Sequence, residues 1–368
     1  MDWILAGSVF VLLLLSLVSL ASFSTTTPFP YFSRQIIWIL LGIAAFFTVS
    51  FFDYRILKNY GGLLLLIYLL LLVLLLVLIV VGREVRGVVS WFRFGSFALE
   101  PGEFMKIALV LILAKYFSRR HVEIYRLRHL IISGLYAGMP AFLVLRQPDL
   151  GMAVILGSIW LGIVLFSGIK FKHLAIFFLL LAALSVFGWY FMLAPYQHAR
   201  IISFLNPWND PLHSGYNAIQ AMIAVGSGKI WGKGLGYGSQ THLNFLPEPA
   251  TDFIFAGFAE EWGLIGVLFL LLIYFVFFLR LFRIGMRAGD NFARLVILGV
   301  TTVFFVHVMI NIGMNMGLFP ITGITLPFVS YGGSSILTDM ILVGLVQSIS
   351  VRSLKSTAFT TRESLVAA

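Results

Sequence analysis

Long apolar runs alternate with short polar breaks along the whole chain, and the runs set its architecture. They fall near residues 3–23, 34–52, 61–81, 101–118, 130–146, 149–167, 174–194, 252–279, 295–318 and 334–351. Each is about 20 residues long, enough for a helix to cross ~30 Å of hydrocarbon. The pattern predicts an all-α, polytopic membrane protein of about ten transmembrane helices. It forms a single integral membrane domain over 1–368, with a large loop, 195–251, between spans seven and eight. No signal-peptidase motif follows Trp3–Phe23, which reads as an uncleaved first span.

The polar breaks sort by charge. One alternating set holds Arg55 and Lys58, then Lys115, Arg119, Arg120, Arg126 and Arg128, then Lys170 and Lys172. Arg280, Arg283, Arg287 and Arg294 follow, and the tail adds Arg352, Lys355 and Arg362. The positive-inside rule makes this the cytoplasmic side and places both termini there. Loop 195–251 and Asp252 then face outward. The same bias accounts for much of the net charge of +10, so nucleic acid is not an expected partner. Composition agrees: 60% of residues are hydrophobic and 11% charged, which excludes a soluble domain. The absence of cysteine excludes disulfides and thiolate metal sites.

Chemistry-bearing residues gather at the outer ends of the spans. Leu246-Pro247-Glu248-Pro249 leads into Thr251-Asp252-Phe253, where the eighth span opens. Asp252 is expected in the first helical turn, either as a cap favoured by the helix dipole or as a working carboxylate. Glu260 lies on the same face about 12 Å deeper, and Glu261 points away. Glu103 and Lys106 are three apart on one helix face. They form either an ion pair that admits two charges to the membrane edge or a ligand-facing lysine oriented by its acid. Asp149, after Pro148, reads locally as an N-cap. Tyr216–Val225 has the pattern of a short amphipathic helix lying on the membrane. Lys229 and Lys233, in the glycine-dense run that follows, suit an anionic headgroup or substrate. His307, Asn311 and Asn315 make a polar stripe at steps of four, which in lipid usually binds helices together. His307 has no second histidine at ligand spacing, so no zinc site is expected. The Pro- and Gly-rich segment 317–335 breaks the membrane edge, which irregular backbone does only when buried in protein or lining a cavity.

Several of these stretches together resemble a known family. Asn311, Gly317-Leu318-x-Pro320-x-Thr322-Gly323-x-x-Leu326-Pro327-Phe328-x-Ser330-Tyr331-Gly332-Gly333-Ser334-Ser335 is similar to the signature of the SEDS proteins (shape, elongation, division and sporulation), the RodA/FtsW-type peptidoglycan glycosyltransferases of bacteria. Leu246-Pro247-Glu248 with Thr251-Asp252-Phe253-Ile254-Phe255, Gln147-Pro148-Asp149-Leu150-Gly151 and Pro101-x-Glu103-Phe104-x-Lys106 are three further hallmarks in family order. Ala250 departs from the histidine, and Gly102 from the serine, that many relatives carry. Gly232-Lys233-Gly234 and Gly238-Ser239-Gln240 look more like the elongation branch than the division branch.

The resemblance implies an inverting polymerase of lipid II at the outer face of the plasma membrane. Asp252 would be the general base, and Lys106 and Arg200 would stabilise the leaving diphosphate. Glu103 and Asp149 would orient Lys106, hold a cation or support the fold, and Lys233, Ser330 and Ser334 would contact substrate. A divalent cation, magnesium or manganese, is the one cofactor expected, with its ligands unassigned; no organic cofactor is implied. Beyond membrane lipids, the implied partner is a class B penicillin-binding protein transpeptidase. A lipid II flippase and a non-catalytic scaffold for that transpeptidase are the competing readings. A flippase would favour inverted repeats, and none is evident here.

Overall fold

The computed structural model describes residues 1–24, 30–82, 88–94, 97–119, 127–168, 204–213 and 215–366, with isolated positions between 172 and 202. The first half contains α1 (Trp3–Phe23), α2 (Tyr31–Phe51), a short α3 (Tyr54–Asn59), α4 (Gly61–Val81), α5 (Pro101–Ser118), α6 (Leu127–Arg146) and α7 (Leu150–Phe166). After the outer loop come α8 (Tyr216–Ser227), a one-turn α9 (Ser239–His242), α10 (Ile254–Arg287), α11 (Asn291–Asn315) and α12 (Gly333–Val366). Helices stand at nine of the ten expected positions among the described residues, and seven of them are long and apolar enough to cross a membrane. The expected span 174–194 lies largely outside the described residues.

Helix α5 is buried nearly all round, including its Glu103, Lys106 and Lys115, and packs against α4, α6, α7, α11 and α12. Helix α4 is the opposite case, with leucines exposed along one side where lipid would lie. Two apolar runs before α5 form a β-hairpin, β1 (Phe92–Phe94) with β2 (Phe97–Leu99), antiparallel with Phe92 opposite Leu99. It lies in the break between the third and fourth expected spans. The Gly95-Ser96 pair between the runs was the available signal.

The basic breaks meet at one end. Asp2 caps α1 through Leu5 N–H and pairs with the Arg280 guanidinium, and its backbone exchanges hydrogen bonds with the Gln347 amide. Arg352 pairs with Asp53 at 3.2 Å and Lys58 with Asp290 at 3.4 Å. The charge sorting read along the sequence is thus a spatial sorting as well.

Helix α10 is broken. Gly263 has φ 64 and ψ −167, and its neighbours lose their helical partners. Segment 229–234 of the outer loop fills the break. Lys233 and Gly234 N–H donate to the carbonyls of Glu260 and Glu261, each at 3.0 Å, while Leu264 and Ile265 N–H donate to Lys229 O and Ile230 O at 2.9 and 3.2 Å. Four backbone groups at the break thus find protein partners, as lipid depth demands. A Cβ at Gly263 would stand 2.2 Å from the Gly232 nitrogen, so only glycine fits.

Candidate active site

Asp252 does not sit in the first turn of α10. The helix begins at Ile254 behind Phe253, and no side chain caps it. Thr251 and Phe253 N–H both turn back to Glu248 O, at 3.2 and 3.3 Å, and this delays the helix by two residues. The simple cap reading of Asp252 therefore fails. Its own carbonyl accepts from Asn311 Nδ2 at 3.0 Å and from Asn315 Nδ2 at 3.1 Å. Asn315 Oδ1 accepts from Ala256 N–H at 3.2 Å. Asn311 also donates to Ile324 O at 2.7 Å, joining the start of α10 to the 317–332 segment. The Asp252 carboxylate is partly exposed and lies beside Gly323, 3.5 Å from where a Cβ would be. Gly323 has φ 72, so a side chain there would be strained as well as close to the acid.

The polar stripe on α11 does more than bind helices together. One turn below Asn311, His307 accepts from or donates to two groups at once. Its Nδ1 is 3.2 Å from Thr325 O, an acceptor, so Nδ1 carries the proton. Nε2 then accepts from Lys106 Nζ at 3.1 Å. Lys106 also pairs with Glu103 at 2.7 Å, and its side chain is 0% exposed. Asp339 on α12 is buried nearby and feels both charges. The ion-pair reading of Glu103 and Lys106 describes this geometry: the ammonium points into the bundle. Asp252 and Lys106 thus belong to one hydrogen-bonded assembly along one face of α11, their anchors about 6 Å apart in rise.

Asp149 is the N-cap of α7, accepting from Met152 N–H at 2.9 Å and from the Ser90 hydroxyl at 3.1 Å. Its carboxylate lies near the Glu103 and Lys106 charges. Burial pushes Glu100 well above the usual carboxylate range, reinforced by the charges of Glu103 and Asp149. Gly151 brings α7 against the site: a Cβ there would be 2.6 Å from Thr322 O.

Ser330 and Ser334 spend their hydroxyls on the backbone. Ser330 donates to Thr251 O at 2.7 Å and accepts from Leu326 N–H at 2.8 Å. Ser334 donates to Ala98 O at 3.2 Å and accepts from Glu100 N–H at 3.1 Å. Lys233 is held by Glu260 at 2.7 Å and by Ser239 at 2.7 Å. Glu260 further accepts from Gln240 and Thr241 N–H, while Glu261 accepts from Gly236 N–H, His242 and Ser22. The two acids therefore clamp one stretch of outer loop from both sides of α10. Helix α8 buries Ile219, Ala221 and Ala224 within the protein, and Ala221 and Ala224 cluster with Leu246, Phe253 and Ala256 beside α10. It is not simply laid on the membrane. Arg200 lies outside the described residues. Among the described residues no three His, Asp or Glu converge to hold a metal.

The residues that sequence reasoning missed as site components are Asn311, Asn315 and His307 acting on Asp252 and Lys106. Their i, i+4 spacing was visible, but their targets are backbone carbonyls and a lysine distant in sequence.

Comparison with known proteins covers nearly the whole chain. The family model of the FtsW/RodA/SpoVE cell cycle proteins matches residues 1–355. Stage V sporulation protein E of Bacillus subtilis is 38% identical over 331 residues, covering 90% of this chain and 89% of that protein. Peptidoglycan glycosyltransferase MrdB of Escherichia coli K12 is 40% identical over 264 residues, 72% of this chain and 71% of its own. A solved chain from a peptidoglycan synthase complex that coordinates polymerization and crosslinking superimposes with a TM-score of 0.81 at 30% identity, covering 96% of this chain and 98% of that one. Sequence and fold agree from end to end, and the chain belongs to the FtsW/RodA/SpoVE family.

Proposed function

We propose that this protein is a peptidoglycan glycosyltransferase that polymerises lipid II into β-1,4 glycan strands for cell elongation and shape. It works at the extracytoplasmic face of the bacterial plasma membrane, with both termini in the cytoplasm. The acceptor 4-hydroxyl attacks an α-linked anomeric carbon and yields a β-linkage, so the transfer inverts. Inversion needs one base and no covalent intermediate. Asp252 takes the hydroxyl proton. The observation that carries this reading is the placement of Asp252: partly exposed, not a helix cap, and fixed through its carbonyl by two buried asparagines.

The leaving diphosphate needs positive charge that grows in value as the bond breaks. Of the cations named from the sequence, Lys106 and Lys233 are already ion-paired. Arg200 and the exposed Lys229 are the remaining ones to test. Lys106 acts from beneath, keeping the buried acids of the site compensated.

Asn315 positions the base. Asn315→Ala removes two donors and one acceptor at the mouth of α10, and a displaced base of about 1 Å costs on the order of a hundredfold in rate. The expected result is a large fall in glycan synthesis with a smaller loss of stability, about 1–3 kcal/mol. Unchanged synthesis would mean that Asp252 is positioned by something else.

A class B penicillin-binding protein transpeptidase is the proposed partner, because the matched solved chain sits in a complex joining polymerization to crosslinking. Purified protein with that partner is expected to convert lipid II to polymer. Lipid II translocation across vesicles without polymer would favour the flippase reading. Neither activity would leave the scaffold.

A further inference from the structure

A second polar recess, of about 290 Å³, lies at the basic end, far from Asp252. Lys58 and Asn59 at the end of α3 line one wall, Lys115 and Arg119 at the end of α5 another, and Asp290 before α11 the third. Their charges do not balance. Asp290 is the one acid in the lining, and it is already engaged: it pairs with Lys58, accepts from the Tyr54 hydroxyl at 3.1 Å and caps α11 through Ala293 N–H at 2.9 Å. Lys115 is 9% exposed, and its ammonium donates to the Lys58 carbonyl. Among the described residues no carboxylate pairs with Lys115 or with Arg119, which caps the same helix and is exposed. An ammonium with donors to spare, facing a recess with no free counter-charge, attracts an anion.

Local shape supports an occupant. Gly61 opens α4 against Lys115, and a Cβ there would stand 3.1 Å from both Cε and Nζ. From that point Leu63, Leu66, Leu70 and Val73 run up α4 as one exposed apolar stripe, steps of three and four apart. A charged recess at the membrane edge thus lies at the foot of an exposed apolar stripe.

We propose that the recess between α3, α5 and the start of α11 binds a phosphate oxyanion, supplied by the headgroup of an anionic phospholipid whose acyl chain lies along α4. Lys115 and Arg119 hold the phosphate, and Lys58 closes the site. Basic pockets between helices on this side of a membrane are suited to such headgroups. The site is separate from the glycan-forming one and does not depend on that assignment.

The full-length protein would be purified into mixed micelles of phosphatidylcholine with phosphatidylglycerol, and the retained lipid counted by native mass spectrometry. Inorganic phosphate alone, with thermal unfolding as readout, forms a parallel arm. Lys115→Gln is expected to lower phosphatidylglycerol retention about fivefold, with phosphatidylcholine unchanged. Arg119→Gln and Lys58→Gln, both at more exposed positions, are expected to lower it similarly and guard against a folding defect at Lys115. If phosphate stabilises wild type but none of these variants, while lipid retention stays equal, the oxyanion site stands and its source is free phosphate. Two results overturn the proposal. One is equal retention and equal phosphate response in all four proteins. The other is the same loss in Arg283→Gln, at the neighbouring arginine-lined recess, which would mean a diffuse basic surface.

Discussion

Replacing Lys106 by methionine is expected to destabilise the protein by about 3–5 kcal/mol. The lysine is wholly buried, and removing it strands Glu103 without its partner at 2.7 Å. It also leaves His307 Nε2 without its donor and removes a cation near buried Asp339. Solvent does not screen this pair, so the usual small value of surface ion pairs does not apply. Thermal unfolding in detergent would show the loss as a clear drop in Tm. The double variant Glu103→Gln, Lys106→Met is expected to recover much of it, because the stranded charge rather than the lost attraction sets the cost. A single variant as stable as wild type would contradict the burial of this pair and, with it, the packing of α5 at the centre of the bundle.

The second large effect concerns chemistry and not stability. Asp252→Asn keeps the size and the backbone carbonyl on which Asn311 and Asn315 converge, so the mouth of α10 should stay in place. It removes the one function an amide cannot perform, accepting a proton. General-base loss costs about 10²–10⁴-fold in rate. Unfolding temperature should move little, and this contrast with Lys106→Met separates the working acid from the structural pair.

Much of this arrangement is legible in the sequence. The limits of α1, α4 and α5 follow directly from apolar runs that end at polar or glycine-containing breaks. Charge asymmetry identified the end at which Asp2, Asp53 and Asp290 meet arginines and lysines. Other features required tertiary partners. Two prolines near Asp252 suggested an immediate helix start, but Glu248 O captures two N–H groups and holds the helix back to Ile254. The break at Gly263 has no local signal in its apolar run, since what makes it necessary is segment 229–234 arriving from elsewhere in the chain. Lys233 suited an anionic ligand by composition alone, yet the nearest anion is Glu260, 27 residues away. Local patterns fix periodicity and propensity; they do not reveal which distant group consumes a polar side chain.

The most direct test of the account is polymerisation of lipid II by purified wild type and Asp252→Asn side by side, each with the partner transpeptidase present. Glycan polymer from wild type and almost none from an equally folded Asp252→Asn is the result predicted here. Equal polymer from both would keep the protein an enzyme but remove Asp252 as its base, contradicting the account at its centre.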